Sequence, residues 1–144
     1  MLVFGRHRWN GETGAGYDFN VTLTDRGIPD GGGIYVFVRR RFVFFLKPLY
    51  VGKAKNFKSR ILGHERWNEA WWDRGATERH FLPVDSGDRR SRVEEDLIRN
   101  LKPPMNDEHV PRGKKDAPND DKLRREFNMP MWRRCLRWIA RRLW

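Results

Sequence analysis

Thiols are almost missing from this chain: Cys135 is the one cysteine among 144 residues. A single cysteine excludes an intramolecular disulfide framework and a thiolate zinc cluster, so the fold must rest on an ordinary core. Long apolar runs are missing too. None reaches the roughly 18 residues expected of a membrane span, and the apolar stretch from Met1 to Phe4 is too short for a secretory h-region. A cytoplasmic location is the resulting expectation. Acids are in deficit, with 19 Asp and Glu against 30 Lys and Arg, a formal charge of +11. Such an excess favours an anionic partner. Nucleic acid comes first, because each phosphate contact releases condensed counterions, and an acidic membrane surface second. Internal repeats, a helix-turn-helix and a zinc finger are also lacking, so no dedicated specificity module is visible.

What is present suffices for one core. Hydrophobic residues are 38% of the chain, nine Phe and seven Trp among them, and the length fits one compact domain with terminal extensions. Residues 1–30 read as an N-terminal extension, whose alternation from Tyr17 to Leu23 predicts one attached strand. Asp30-Gly31-Gly32-Gly33 is turn punctuation. Two β-branched and aromatic runs of strand length follow, Ile34 to Val38 and Phe42 to Leu46. Arg39-Arg40-Arg41 either turns the chain between them or sits in the strands. Pro48 argues for an edge or a bulge before Tyr50.

Asn56 predicts the N-cap of a helix with Phe57, Ile61 and Leu62 at helical spacing. Thr77 to Val84 predicts a third strand. Asp88 predicts the cap of a second helix with Val93, Leu97, Ile98 and Leu101 inward, stopped by Pro103-Pro104. Residues 108–129 read as a charged linker and 130–144 as a basic amphipathic helix, with Trp132, Leu136 and Ile139 on one face and Arg133, Arg134 and Arg137 on the other. Trp67, Trp71 and Trp72 are either core or an aromatic platform for bases.

Hydrolysis of a phosphodiester needs an activated water, a cation for developing charge, and help for the leaving oxygen. Tyr35 and Tyr50 can share one face of neighbouring strands. Arg60 and His64, four apart, project from one side of the first helix if it extends that far. Glu94, early in the second helix, can hold one hard cation through oxygen. Taken singly, each has a plainer reading: strand tyrosines are more often core, helix arginines solvated, and a lone glutamate or histidine surface.

Taken together they form a pattern. Gly33-Ile34-Tyr35, then Tyr50-Val51-Gly52-Lys53-Ala54-Lys55-Asn56-Phe57, resembles the two signature strands of the GIY-YIG nuclease family. Arg60 and His64 fall where that family has its arginine and, in several members, a histidine. Glu94 resembles its metal-binding glutamate, and Asn106 stands where the family has its asparagine. The ending Lys102-Pro103-Pro104-Met105-Asn106 resembles the nuclease subunit of bacterial nucleotide-excision repair and its small stand-alone relatives. The likeness covers residues 31–107.

The resemblance implies an α/β (α+β) domain with a small three-stranded antiparallel central sheet flanked by helices. It implies an endonuclease cutting DNA with one divalent cation, Mg²⁺ or Mn²⁺, on Glu94, and no small-molecule cofactor. Tyr50, or a water linked to it, would assist deprotonation of the attacking water, which Tyr35 would orient. Arg60 would stabilise the scissile phosphate and His64 support the tyrosine, with Gly33, Gly52 and Asn106 as structural support. Lys53, Lys55, Lys58, Arg133, Arg134 and Arg137 would grip the nucleic acid. A shifted helix register would make Glu95 the ligand instead. The interval of fifteen from Tyr35 to Tyr50 predicts a bulge or a long turn. Competing expectations are a catalytically silent nucleic-acid-binding module of the same fold, and a membrane-interacting or toxin-like protein acting through the Trp/Arg-rich terminal helix. Repair, homing, restriction, phage and toxin roles fit equally.

Overall fold

Punctuated runs of β-branched and aromatic residues form five antiparallel strands in the computed structural model, which describes residues 5–107. The strands are β1 (Arg6–Asn10), β2 (Gly16–Thr22), β3 (Gly33–Arg41), β4 (Phe45–Ala54) and β5 (Glu78–Pro83), ordered β1-β2-β5-β3-β4. Between β4 and β5 lie helices α1 (Phe57–Leu62) and α2 (Glu65–Trp72), and after β5 come α3 (Gly87–Leu101) and α4 (Pro104–Asp107). The segments 108–129 and 130–144, with Arg133, Arg134 and Arg137, lie outside the described residues. Among the described residues no helix is long and apolar enough to cross a membrane.

Strand β3, paired on both sides by β5 and β4, is apolar on both faces because both are covered. Tyr35 and Phe37 enter one core with Phe57 and Ile61 of α1, Ala70 of α2 and Met105 of α4. Ile34, Val36 and Val38 enter the other, with Val93 and Leu97 of α3. Strand alternation thus assigns successive side chains to opposite layers. The α+β class matches the expectation.

The sheet has five strands, not three, and the N-terminal segment supplies two of them rather than one. Strand β2 pairs with β5 through Asn20↔Phe81, Val21↔His80 and Thr22↔Arg79. It buries Phe19, while β1 buries Trp9 against α3. Asp96 ties the turn of this hairpin down, accepting hydrogen bonds from the Thr13 N–H (2.9 Å), the Thr13 hydroxyl (3.0 Å) and the Tyr17 hydroxyl (2.8 Å). These partners come from far along the chain, where local patterning carries no signal. Without the hairpin, β5 would present an open edge.

The reversal between β3 and β4 also differs from expectation. Arg39, Arg40 and Arg41 lie inside β3, and the turn is made by Phe42, Val43 and Phe44, which were predicted as strand. Register explains the arrangement: Tyr35↔Gly52 and Phe37↔Tyr50 pair directly, and a bulge at Leu49 lets Val38 face Pro48 and Arg39 face Lys47. The bulge and the hairpin account for the long interval between the two tyrosines.

Two helix ends were misplaced as well. Helix α3 is capped by Ser86, whose hydroxyl accepts from the Arg89 N–H, and Asp88 lies in its first turn. Helix α1 stops at Leu62, so His64 is not on it; His64 caps α2 instead. Trp67 packs its ring 5.0 Å from Phe37 and lies under the Arg79 guanidinium at 4.6 Å. That is the core reading for Trp67.

Candidate active site

Glycine at position 52 makes room for what stands opposite it. Gly52 pairs with Tyr35, and a Cβ there would lie 2.5 Å from the Tyr35 Cζ and Oη and 2.9 Å from Tyr50 Cε1. Any side chain would collide with both phenols. Gly33 is confined too, against the Leu82 carbonyl and the Phe57 ring. The two tyrosine rings share a face, 6.1 Å apart, and the Phe37 ring packs against both, 5.3 Å from Tyr35 and 5.6 Å from Tyr50.

His64 reaches this pair from a helix cap. The Asn56 side chain accepts from the Ser59 N–H and starts α1, and Gly63 ends it after six residues. The chain then restarts with His64, whose Nδ1 accepts the Arg66 N–H at 3.0 Å. A nitrogen that accepts carries no proton, so the neutral ring is protonated at Nε2. That Nε2–H donates to the Tyr35 hydroxyl at 2.6 Å. Burial, then the Arg60 and Arg66 charges, push the His64 pKa down to about 4. The ring is therefore uncharged at neutral pH.

Tyr35 is fully buried, and burial, followed by the neighbouring Tyr50, holds its pKa well above the ordinary phenol value. It stays protonated, and its hydroxyl, which accepts from His64, also lies within hydrogen-bond reach of Arg60 and Tyr50. Arg60, on the exposed side of α1, brings a guanidinium to the same phenols. Its pKa is raised by Tyr35 first and by Tyr50 more weakly. Tyr35, Tyr50, Arg60 and His64 thus converge from β3, β4, α1 and the cap of α2.

Asn106 of α4 braces this arrangement. Its Oδ1 accepts the Val51 N–H and its Nδ2 donates to the Val51 carbonyl, both at 2.8 Å. Strand β4 is at the sheet edge, so the carboxamide does there what another strand would do.

Glu94 meets a different partner. Its Oε2 lies 2.9 Å from Lys53 Nζ, which also donates to the Ser91 hydroxyl at 3.1 Å. Lys53 is three residues beyond Tyr50 on β4, and its role in holding Glu94 was not legible in the sequence. The register of α3 separates its three consecutive acids: Glu94 turns to β4, Glu95 pairs with Arg99 at 2.5 Å, and Asp96 holds the N-terminal hairpin. Among the three, Glu94 is the carboxylate on the β4 side. Lys58 is ion-paired with exposed Asp30 at 2.5 Å, and Lys55 is exposed. Compared with family models, with curated proteins and with solved structures, the chain gave no match.

Proposed function

We propose that this protein is a metal-dependent DNA endonuclease of the GIY-YIG type, hydrolysing phosphodiester bonds with one divalent cation. The observation that carries this reading is the convergence of two phenols, a neutral histidine and an exposed guanidinium from four separate elements.

The donor set bears on the metal. Glu94 offers one carboxylate, and among the described residues no group of three His, Cys, Asp or Glu side chains gathers as a ligand cluster. One carboxylate with a free oxygen suits a hard ion, Mg²⁺ or Mn²⁺, that takes its remaining ligands from water and phosphate. Glu94 would hold it, and when bound it would offset charge on the leaving 3′ oxygen.

The chain's own groups do the rest. Tyr35, kept protonated by burial, donates its hydroxyl proton to orient the attacking water. His64 fixes the Tyr35 oxygen from behind. Tyr50, the slightly more accessible phenol, or a water linked to it, assists deprotonation of the attacking water. Arg60 stabilises the extra negative charge on the phosphate, an effect worth roughly 3–4 kcal/mol for a well-placed donor. The water oxygen bonds to phosphorus as the bond to the 3′ oxygen breaks.

One observation favours a second reading. The 2.9 Å pair with Lys53 already neutralises Glu94, as suits a nucleic-acid-binding module without chemistry. A cleavage panel of single strands, duplexes and branched DNA, titrated with Mg²⁺ and Mn²⁺, separates the two. The nuclease reading expects metal-dependent cutting that Glu94→Ala abolishes. Binding without cutting at any metal concentration establishes the silent module.

A further inference from the structure

The tip of the β3–β4 hairpin breaks the ordinary rule for a turn. Phe42, Val43, Phe44 and Phe45 are 86, 69, 88 and 71% exposed, side by side. Phe42 also has φ 54, a left-handed conformation uncommon for an aromatic residue. Contiguous exposed apolar residues mark interaction surfaces, and strain at such a place points to function. The Arg40 guanidinium steadies the tip, donating to the Val43 carbonyl at 2.7 Å while pairing with Glu78 at 2.8 Å.

The flanks carry unpaired charge. Arg39 and Lys47 are direct cross-strand neighbours, an arrangement of like charges that costs stability. Among the described residues neither they nor Arg41 forms an ion pair, and the buried Arg39 Nε has no hydrogen-bond partner. Arg39, Arg41, Phe45, Leu46 and Lys47 line a shallow hollow.

Strand alternation places Arg39 and Arg41 on the face of Tyr35 and Phe37. At about 3.3 Å per residue they stand roughly 13 and 20 Å along β3 from Tyr35, or about four to six base steps of 3.4 Å. A row of cations running from an aromatic tip toward a phenol cluster suits a line of phosphates. Cations ringed around the tip would suit a lipid surface instead.

We infer that the distal half of this hairpin is a second nucleic-acid contact. Arg39, Arg41 and Lys47 take phosphates while Phe42 and Phe44 stack on, or wedge between, bases, so the substrate has unpaired or readily unstacked bases near the cut. The inference rests on the nuclease reading for its substrate class.

The test uses the full chain in EDTA, so that binding is measured without cutting, on fluorescent single-stranded, flapped and fully paired oligonucleotides. The Phe42→Ser/Phe44→Ser variant is expected to lose about five- to a hundredfold in affinity for unpaired and flapped DNA, from stacking lost on the order of one base. Duplex affinity is expected to stay within about twofold, since base pairs need not open there. Arg39→Ser/Lys47→Ser is expected to reduce the salt slope on single strands by about 1.4, roughly 0.7 per lost phosphate contact. Both substitutions remove exposed or uncompensated groups, and unchanged melting temperatures check that the fold is kept. Equal losses on paired and unpaired DNA, or none, overturn the inference. So does lost binding to vesicles of anionic phospholipid with DNA affinity unchanged. A wild type that discriminates in EDTA but never cuts with metal sinks the nuclease reading and leaves the hairpin contact standing.

Discussion

Gly52→Ala is a small change with a calculable consequence. The added methyl would sit 2.5 Å from the Tyr35 Cζ and Oη and 2.9 Å from Tyr50 Cε1, well inside van der Waals contact. Tyr35 cannot retreat freely, being fully buried and hydrogen-bonded to His64 at 2.6 Å. Overpacking of this kind costs about 1–3 kcal/mol. For a chain of this size that lowers the melting temperature by roughly 4–12 °C. Displacing the phenols by about an ångström would also slow cleavage about a hundredfold. Gly63→Ala is the matched control: its φ is −111 and nothing lies within 4 Å of the added Cβ. Adding Tyr35→Phe to Gly52→Ala removes one of the two closest atoms, so the two changes should couple by at least about 0.5 kcal/mol. Calorimetry and single-turnover cleavage measure both effects. A Gly52→Ala protein that melts with the Gly63→Ala control and cuts at the wild-type rate refutes the reasoning.

Three further outcomes follow from the same geometry. Asn106→Ala leaves the edge N–H and carbonyl of Val51 without their 2.8 Å partners. It should cost about 1–3 kcal/mol by urea unfolding, with Asn106→Asp costing nearly as much because it restores only the acceptor. His64, held to about 4 against an ordinary 6.5, stays neutral in the fold while the unfolded chain takes up a proton. Its contribution is therefore complete above pH 6.5 and is lost as pH falls toward 4, about 3 kcal/mol in all. His64→Asn keeps a capping oxygen and removes the titration, so its urea midpoint should fall less steeply than wild type between pH 7 and 4.5. Glu78 behaves differently. Burial alone would raise it, yet hydrogen bonds from His80 and Arg40 bring it down to about 2. Its contribution is present above pH 4.5 and lost below, and Glu78→Gln should remove that part of the acid transition.

Elements defined by local chemistry were legible in the sequence. Asn56 before Phe57 and Ile61 marked α1, and the apolar spacing of Val93 and Leu97 marked α3. The N-terminal hairpin was not legible, because what holds it is Asp96, about eighty residues away in sequence. The β3–β4 reversal was misplaced for an opposite reason. Local propensity favours Phe42 to Leu46 as strand and leaves the arginines open between turn and strand, but pairing Phe37 with Tyr50 and the buried faces of β3 fix the register so that the arginines are strand and Phe42 to Phe44 the turn. Among candidate site residues, Tyr35, Tyr50, Arg60 and His64 lie together. His64 arrives from a cap rather than from the α1 surface, since Gly63 ends that helix. Nothing in the letters announced that Lys53 would claim the Glu94 carboxylate, for that contact depends on how α3 lies across β4.

Whether these groups act on one phosphorus atom is best measured by single-turnover cleavage of a flapped DNA with wild type, Arg60→Ala, Glu94→Ala and the double variant. Residues serving one transition state are not additive. The expected result is a loss of about 10²–10³ for each single variant, with the double variant little worse than either. Unimpaired single variants, or losses that simply multiply in the double, would contradict the account.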